Sequence, residues 1–163
     1  MALTREQIED AVREHMRAES ERDMGFLRHQ LVEDVDYDIR TMSHPDDPTP
    51  YGHFRGSETY IGMWDALHEI FSSYTIEIED TIVLEERSAA FVRLQITAVP
   101  YEEWNGLPAG EPVRWWPCAI CEFDDNSEMT RETVWGSAPP FLAGYQRMLE
   151  YQRELRGGDG ERD

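Results

Sequence analysis

Of the groups able to do chemistry in this chain, certain histidines, tyrosines, cysteines and arginines are the ones whose spacing puts them on an inward face. His15 falls on the apolar series Ile8, Ala11, Val12, His15 and Met16, which recurs at helical spacing. An imidazole on such a face can donate to an oxygen that gains charge, or exchange a proton near neutral pH. A core histidine satisfied by a neighbouring carbonyl fits the same spacing. Partial burial is expected to lower its pKa and leave it neutral. Tyr37 lies in the alternating run Val35, Tyr37, Ile39, opposite Asp34, Asp36, Asp38 and Arg40, and its phenol could polarise a carbonyl. A core aromatic is the plainer reading of Tyr37. Farther on, Trp115, Ala119, Cys121 and Phe123 share one face of a run, and Met129, Arg131, Thr133 and Trp135 share one face of the next. Turned inward, these faces make an aromatic wall with one cation, Arg131, suited to an anionic or carbonyl-bearing ligand. An Arg131 paired with Glu122 or Glu132 at the surface is the alternative. Trp64 and His68 could line the same interior, although Asp65 three residues earlier offers His68 a solvated partner.

Strict alternation places no carboxylate inward, and Asp36 and Asp38 would need a bulge to turn in. Cys118 and Cys121 have C-x-x-C spacing, but on a strand they point to opposite faces and cannot easily clamp a metal or close a disulfide. No metal site and no cofactor are expected. No phosphate-binding glycine loop, nucleophile elbow or H-E-x-x-H stretch is present.

The elements that must hold these groups follow from period and punctuation. Thr4 and Gln7 form a capping box, with Leu3 and Ile8 as a hydrophobic staple, so a helix begins there. A second short helix starts near Asp23. Three prolines and Gly52 make Ser43–Arg55 a loop carrying His44 and His53. Ser57 is read as the cap of a third helix with Tyr60, Ile61, Trp64, Leu67 and Phe71 on its buried side. Period two then takes over across Tyr74–Leu84, Ala90–Ala98, Val113–Asp124 and Met129–Trp135, with Pro117 marking an edge or bulge. A last helix is expected over 139–155 and a disordered tail over 156–163, the whole of 1–155 being one domain.

The chain has 163 residues, 40% of them hydrophobic, which suits one domain with one core. A net charge of −19 would repel nucleic acid and anionic membranes. No apolar run is long enough to span a bilayer, and Met1–Glu6 lacks a signal-peptide pattern, so a cytoplasmic setting is expected.

The order helix, helix, strand, loop, helix, four strands predicts an α+β cone, a curved antiparallel or mixed sheet wrapped around the N-terminal helices. At this level the chain resembles the nuclear-transport-factor-2-like superfamily and, within it, the SnoaL-like polyketide cyclases and ketosteroid isomerases. The resemblance rests on Ser20-Glu21-Arg22-Asp23, Glu33-Asp34-Val35-Asp36-Tyr37, Phe54-Arg55-Gly56-Ser57 and Thr130-Arg131-Glu132-Thr133-Val134-Trp135, in that order. It places His15 where ketosteroid isomerases carry an oxyanion-binding tyrosine. It puts Ile39 at their aspartate base and Cys121 near their second acid, which argues against steroid-type isomerisation. The inward Asp-Arg-Asp set of limonene epoxide hydrolases is likewise not evident. Tyr37 resembles a pocket tyrosine of scytalone dehydratases. The resemblance implies a cofactor-independent cyclase, isomerase or dehydratase with His15 and Tyr37 catalytic. Trp64, Trp115, Cys121, Phe123, Arg131 and Trp135 would contact a small hydrophobic carbonyl compound. The alternative is a non-catalytic ligand-binding protein or structural subunit. A homodimer through the open sheet face, where Trp116 and Ile120 would otherwise be exposed, is also expected.

Overall fold

A computed structural model describes residues 2–40, 52–103 and 107–136. Helix α1 (Arg5–Glu21) opens with the expected capping box, Thr4 accepting from the Gln7 amide while the Gln7 side chain accepts from the Thr4 amide. A cap of this kind contributes about 1 kcal/mol. Arg22 closes α1 in the left-handed conformation, and Asp23 at once caps α2 (Met24–Gln30), its carboxylate accepting from the Phe26 amide. Helix α3 (Ser57–Ile70) starts one residue earlier than the capping pattern suggested. Gly56, at φ 101°, is the capping position and makes no side-chain bond, so Ser57 is the first helical residue rather than the cap.

Seven strands form one sheet: β1 (Leu31–Arg40), β2 (Gly52–Arg55), β3 (Phe71–Leu84), β4 (Ala89–Pro100), β5 (Val113–Trp115), β6 (Cys118–Phe123) and β7 (Met129–Trp135). Their order is β2-β1-β7-β6-β4-β3, with β5 also on β4. The β1–β7 pair is parallel and every other pair antiparallel. The sheet does not close into a barrel: β2 and β3 are its edges, and the three helices give an α+β cone. Two readings of the chain change here. The end of the proline-rich stretch is not loop but β2, which pairs with β1 and buries Phe54 against Tyr37, ring centroids 4.7 Å apart. The single strand expected over Val113–Asp124 is two, broken at Trp116-Pro117 because proline has no amide proton for the ladder. Gly136 seals that break, since a Cβ there would lie 2.9 Å from Pro117. His44, the helix over 139–155 and the tail over 156–163 lie outside the described residues.

Which way each strand faces follows from one row of register partners. Tyr37 pairs with Glu132, Glu132 with Cys121, and Cys121 with Ala90, and all four are buried against the helices. The adjacent row, Asp38, Thr133, Ile120 and Phe91, lies on the opposite face. The parity on β7 is set by a bulge. Phe123 pairs with Met129 but Glu122 with Arg131, leaving Thr130 as an extra residue. Met129 and Glu132 are therefore both buried although three apart.

Candidate functional site

Helix α1 brings two polar residues into the core one turn apart, His15 and Glu19, both at most 1% exposed. Glu19 occupies the next step of the apolar series that holds Ile8, Val12 and His15. Helix α3 supplies Tyr60, β7 supplies Glu132 and the end of α2 supplies Gln30, all buried. Gln30 donates its amide to the Ala11 carbonyl at 2.8 Å, so its oxygen faces His15 Nδ1 at 2.7 Å and must accept from it. His15 Nε2 then lies 2.9 Å from the Tyr60 hydroxyl, 3.1 Å from Glu19 Oε1 and 4.0 Å from Glu132 Oε2. The Tyr60 hydroxyl also hydrogen-bonds Glu19, and lies 2.6 Å from Glu132 Oε2. One hydroxyl proton cannot serve two carboxylates at once, so the pair of carboxyls holds a proton of its own.

Protonation follows from this geometry. Burial raises the Glu132 pKa most and the Glu19 charge adds to it, against His15 and Tyr60, which lower it; the result is about 8. For His15 burial is the largest effect and acts downward. The charge and hydrogen bond of Glu19, the charge of Glu132 and the bond to Gln30 together outweigh it and push His15 up to about 9. The expected neutral, lowered histidine is thus overturned: at pH 7 it is an imidazolium, because two carboxylates share its cavity. The same two carboxylates, after burial, hold the phenols of Tyr37, Tyr60 and Tyr74 and the thiol of Cys121 well above their ordinary values, so these remain donors.

Beside this network stand buried donors with no partner among the described residues: the Tyr37 and Tyr74 hydroxyls and the indole nitrogens of Trp64 and Trp115. Tyr37 stacks edge-on to Tyr60 at 5.0 Å, while Tyr74 contacts both Trp64 (5.3 Å) and Trp115 (6.0 Å). A buried polar group left unmet costs about 1–3 kcal/mol, and four such donors share this interior. His15, Glu19 and Glu132 each also offer a ligand atom within 4.8 Å of the others, a grouping that short-range spacing had not shown. Two clefts flank α1. One of about 740 Å³ lies against β3 and has Tyr74 in its wall. The other, of about 430 Å³, is bordered by Gln30 and the β6–β7 turn.

The sequence profile of the SnoaL-like domain matches residues 12–131, more than half of the chain. The chain belongs to the SnoaL-like domain family. Among solved structures, IdmH of Streptomyces antibioticus, provisionally assigned as a polyketide cyclase, superposes with a TM-score of 0.67 at 17% identity, over 88% of this chain and 99% of that one. A protein of Xanthomonas campestris with the same provisional assignment gives 0.64 at 16% identity, over 86% and 98%. An LEH-like epoxide hydrolase of M. tuberculosis gives 0.61 at 15% identity, over 88% and 87%. At such identities the likeness is one of fold. No curated protein matches the sequence significantly.

Within this SnoaL-like domain the candidate residues divide. His15, Tyr37, Trp64, Trp115, Cys121 and Phe123 are buried, on the sheet's inner face or on the helices packed against it. Arg131 and Trp135 are not on that face. Arg131 shares the outer face with Asp36 and Asp38 and pairs with Asp38 Oδ2 at 2.8 Å; Trp135, half-buried, lies under the Arg40 guanidinium at 5.8 Å. The interior holds Glu19 and Glu132 beside His15 and not the Arg131 guanidinium, which also overturns the reading that no carboxylates point inward. His68 bonds the Glu19 carbonyl at 2.8 Å instead of Asp65, whose partner is Arg22. His53 is exposed and lies 3.3 Å from Asp36. Cys118 and Cys121 are free thiols on opposite faces, as the spacing implied. Sequence reasoning missed Glu19, Gln30, Tyr60 as a polar hub, and Glu132. The one available signal was Glu19 on the apolar series of α1.

Proposed function

We propose that this SnoaL-like domain is an enzyme that moves a proton on an apolar carbonyl compound held in the cone, in a cyclase, isomerase or dehydratase type of reaction that needs no cofactor. The observation that carries the reading is the chain Glu132–Tyr60–Glu19, closed by His15, with the unpartnered Tyr37 hydroxyl beside it. A carboxyl with a pKa near 8 is matched to proton transfer at neutral pH, and Glu132 is the general acid in this scheme. Tyr60, bonded to both carboxyls, can pass a proton between them, so an acid and a base reset without bulk water. His15 is then not the base but the cation that balances Glu19. Tyr37 supplies the hydrogen bond to the oxygen that gains charge.

The test is deuterium incorporation. Aryl ketones with acidic α-hydrogens, incubated with the protein in D₂O, should exchange faster than in buffer, and Tyr37→Phe should slow that exchange by about a hundredfold. Because the Tyr37 hydroxyl has no partner among the described residues, the same variant should melt at an unchanged or higher temperature. Absence of exchange across the panel, with the ketones still bound, favours a non-catalytic ligand-binding protein, a reading for which the near-complete burial of the network speaks.

Two wider features of the reading concern setting and assembly. No described helix is long and apolar enough to cross a membrane, and two free thiols suit a reducing cytoplasm. We also infer a homodimer through the outer sheet face, where Ile82 is 55% exposed, with Trp116, 58% exposed, at the β5–β6 break. The net charge of −19 opposes self-association, so salt should strengthen the dimer. Sedimentation at micromolar concentration and raised salt should show twice 19.0 kDa; a monomer alone rejects the pairing.

A further inference from the structure

We propose that His15, Glu19 and Glu132 form a binding site for one divalent transition-metal ion of the zinc or cobalt class, which takes the place of the protons that now join them. This does not rest on the catalytic reading: an ion can bind whether or not the site turns over a substrate. Since an ion-loaded Glu132 has no proton to give, the proton transfer proposed above belongs to the ion-free protein.

Three observations of geometry support it. First, one ligand atom from each residue lies within 4.8 Å of the others, with His15 Nε2 at 3.1 Å from Glu19 Oε1 and 4.0 Å from Glu132 Oε2. An ion bound at about 2.1 Å from each atom holds its ligands roughly 3–4 Å apart, so small carboxylate rotations complete the set. Second, the outer support of a metal-bound histidine is already built. Gln30 Oε1 holds His15 Nδ1–H at 2.7 Å and is itself fixed by Ala11, which leaves Nε2 as the ligand atom. Third, Tyr37 is 1% exposed and shares a sheet face with Glu132. Its ring packs edge-on at 5.0 Å against Tyr60, which bonds both carboxyls, and its buried hydroxyl has no partner among the described residues. It can serve as a fourth ligand or hold an ion-bound water. The donor set, one imidazole and two carboxylates, suits zinc, cobalt, manganese or ferrous ions, whereas magnesium and calcium prefer oxygen alone. Two carboxylates also balance a 2+ charge, so the ion enters as the shared protons leave and the interior stays neutral.

The experiment uses the full chain stripped with EDTA, then given Zn²⁺ or Co²⁺ alone. About one ion per chain should survive gel filtration, the melting temperature should rise with Zn²⁺, and Co²⁺ should show the intense visible bands of a four-coordinate site. Glu132→Gln should weaken binding by about a hundredfold, and Tyr37→Phe, whose fold loses no bond, by about tenfold. The Tyr37 variant keeps the test decisive if Glu132→Gln does not fold. Equal occupancy in wild type and Tyr37→Phe or Glu132→Gln would assign the ion to surface acids and overturn the site. So would the lack of any retained ion.

Discussion

Replacing His15 by leucine is expected to destabilise the fold by about 3–5 kcal/mol at pH 7, far more than an ordinary core substitution. The reason is not lost packing. The imidazolium is the cation facing two buried carboxyls, and its Nδ1–H satisfies Gln30. Leucine leaves the buried pair of carboxyls with one negative charge, no cation to balance it and no water to hydrate it, and leaves the Gln30 oxygen unmet. Urea denaturation at pH 7 and pH 9.5 separates the causes. The deficit should shrink at pH 9.5, above the His15 pKa of about 9, where the wild type has lost the same cation. A loss below about 1 kcal/mol at pH 7 would show that His15 balances no charge.

Glu132→Gln should keep the shape of the network and remove its transferable proton. A proton donor or acceptor placed at the reacting group contributes about a hundred- to ten-thousandfold, so exchange into α-carbonyl positions should fall by at least the lower figure. The pH dependence carries the second half of the expectation. Glu132 titrates at about 8 in the fold against an ordinary 4.5, so its contribution to stability is complete below pH 4.5 and is lost as pH rises through 8. His15, raised from 6.5 to about 9, contributes fully below pH 6.5 and loses its share as pH rises through 9. Both act in the same direction, so the wild-type melting temperature should fall steadily from pH 6 to pH 9.5. The glutamine variant should show a shallower fall, and wild-type turnover should drop above pH 8 if Glu132 acts as the acid. A variant as pH-sensitive as the wild type would move the titration to another group.

Most of the scaffold was legible because local rules agreed with the global packing. The Thr4–Gln7 box, the helix start near Asp23 and the alternation along β1 and β4 each announce an element that burial then confirms. Along β3, by contrast, a register shift between Ile78 and Asp80 reverses the alternation, burying Val83 and exposing Ile82. The site was legible in half. His15 and Tyr37 could be placed because they share periodic faces with apolar neighbours. Glu19 sits on such a face too, but a carboxylate on a helix is ordinarily read as solvated, and its burial becomes tolerable only when Tyr60, distant in sequence, joins His15 one turn away as its partner. Tyr60 looked like plain core because its hydroxyl gives no sign in the periodicity of α3. Glu132 was hidden by counting: alternation from Met129 assigns the inner face to Arg131, Thr133 and Trp135, and the unpaired Thr130 reverses that assignment. Strand registry is a long-range property, and a single chain pattern does not encode where it slips.

That slip decides the electrostatic polarity of the whole chamber. On β7 an arginine and a glutamate are adjacent, and one of them must look toward the helices while the other looks away. With Thr130 spare, the guanidinium leaves to neutralise Asp38 on the far side, and the carboxyl meets the helices. In the opposite phase the Arg131 guanidinium would join His15 inside as a second cation; in this one the interior holds the two carboxyls that balance His15. A single main-chain irregularity thus decides which of two neighbouring charges the helices meet.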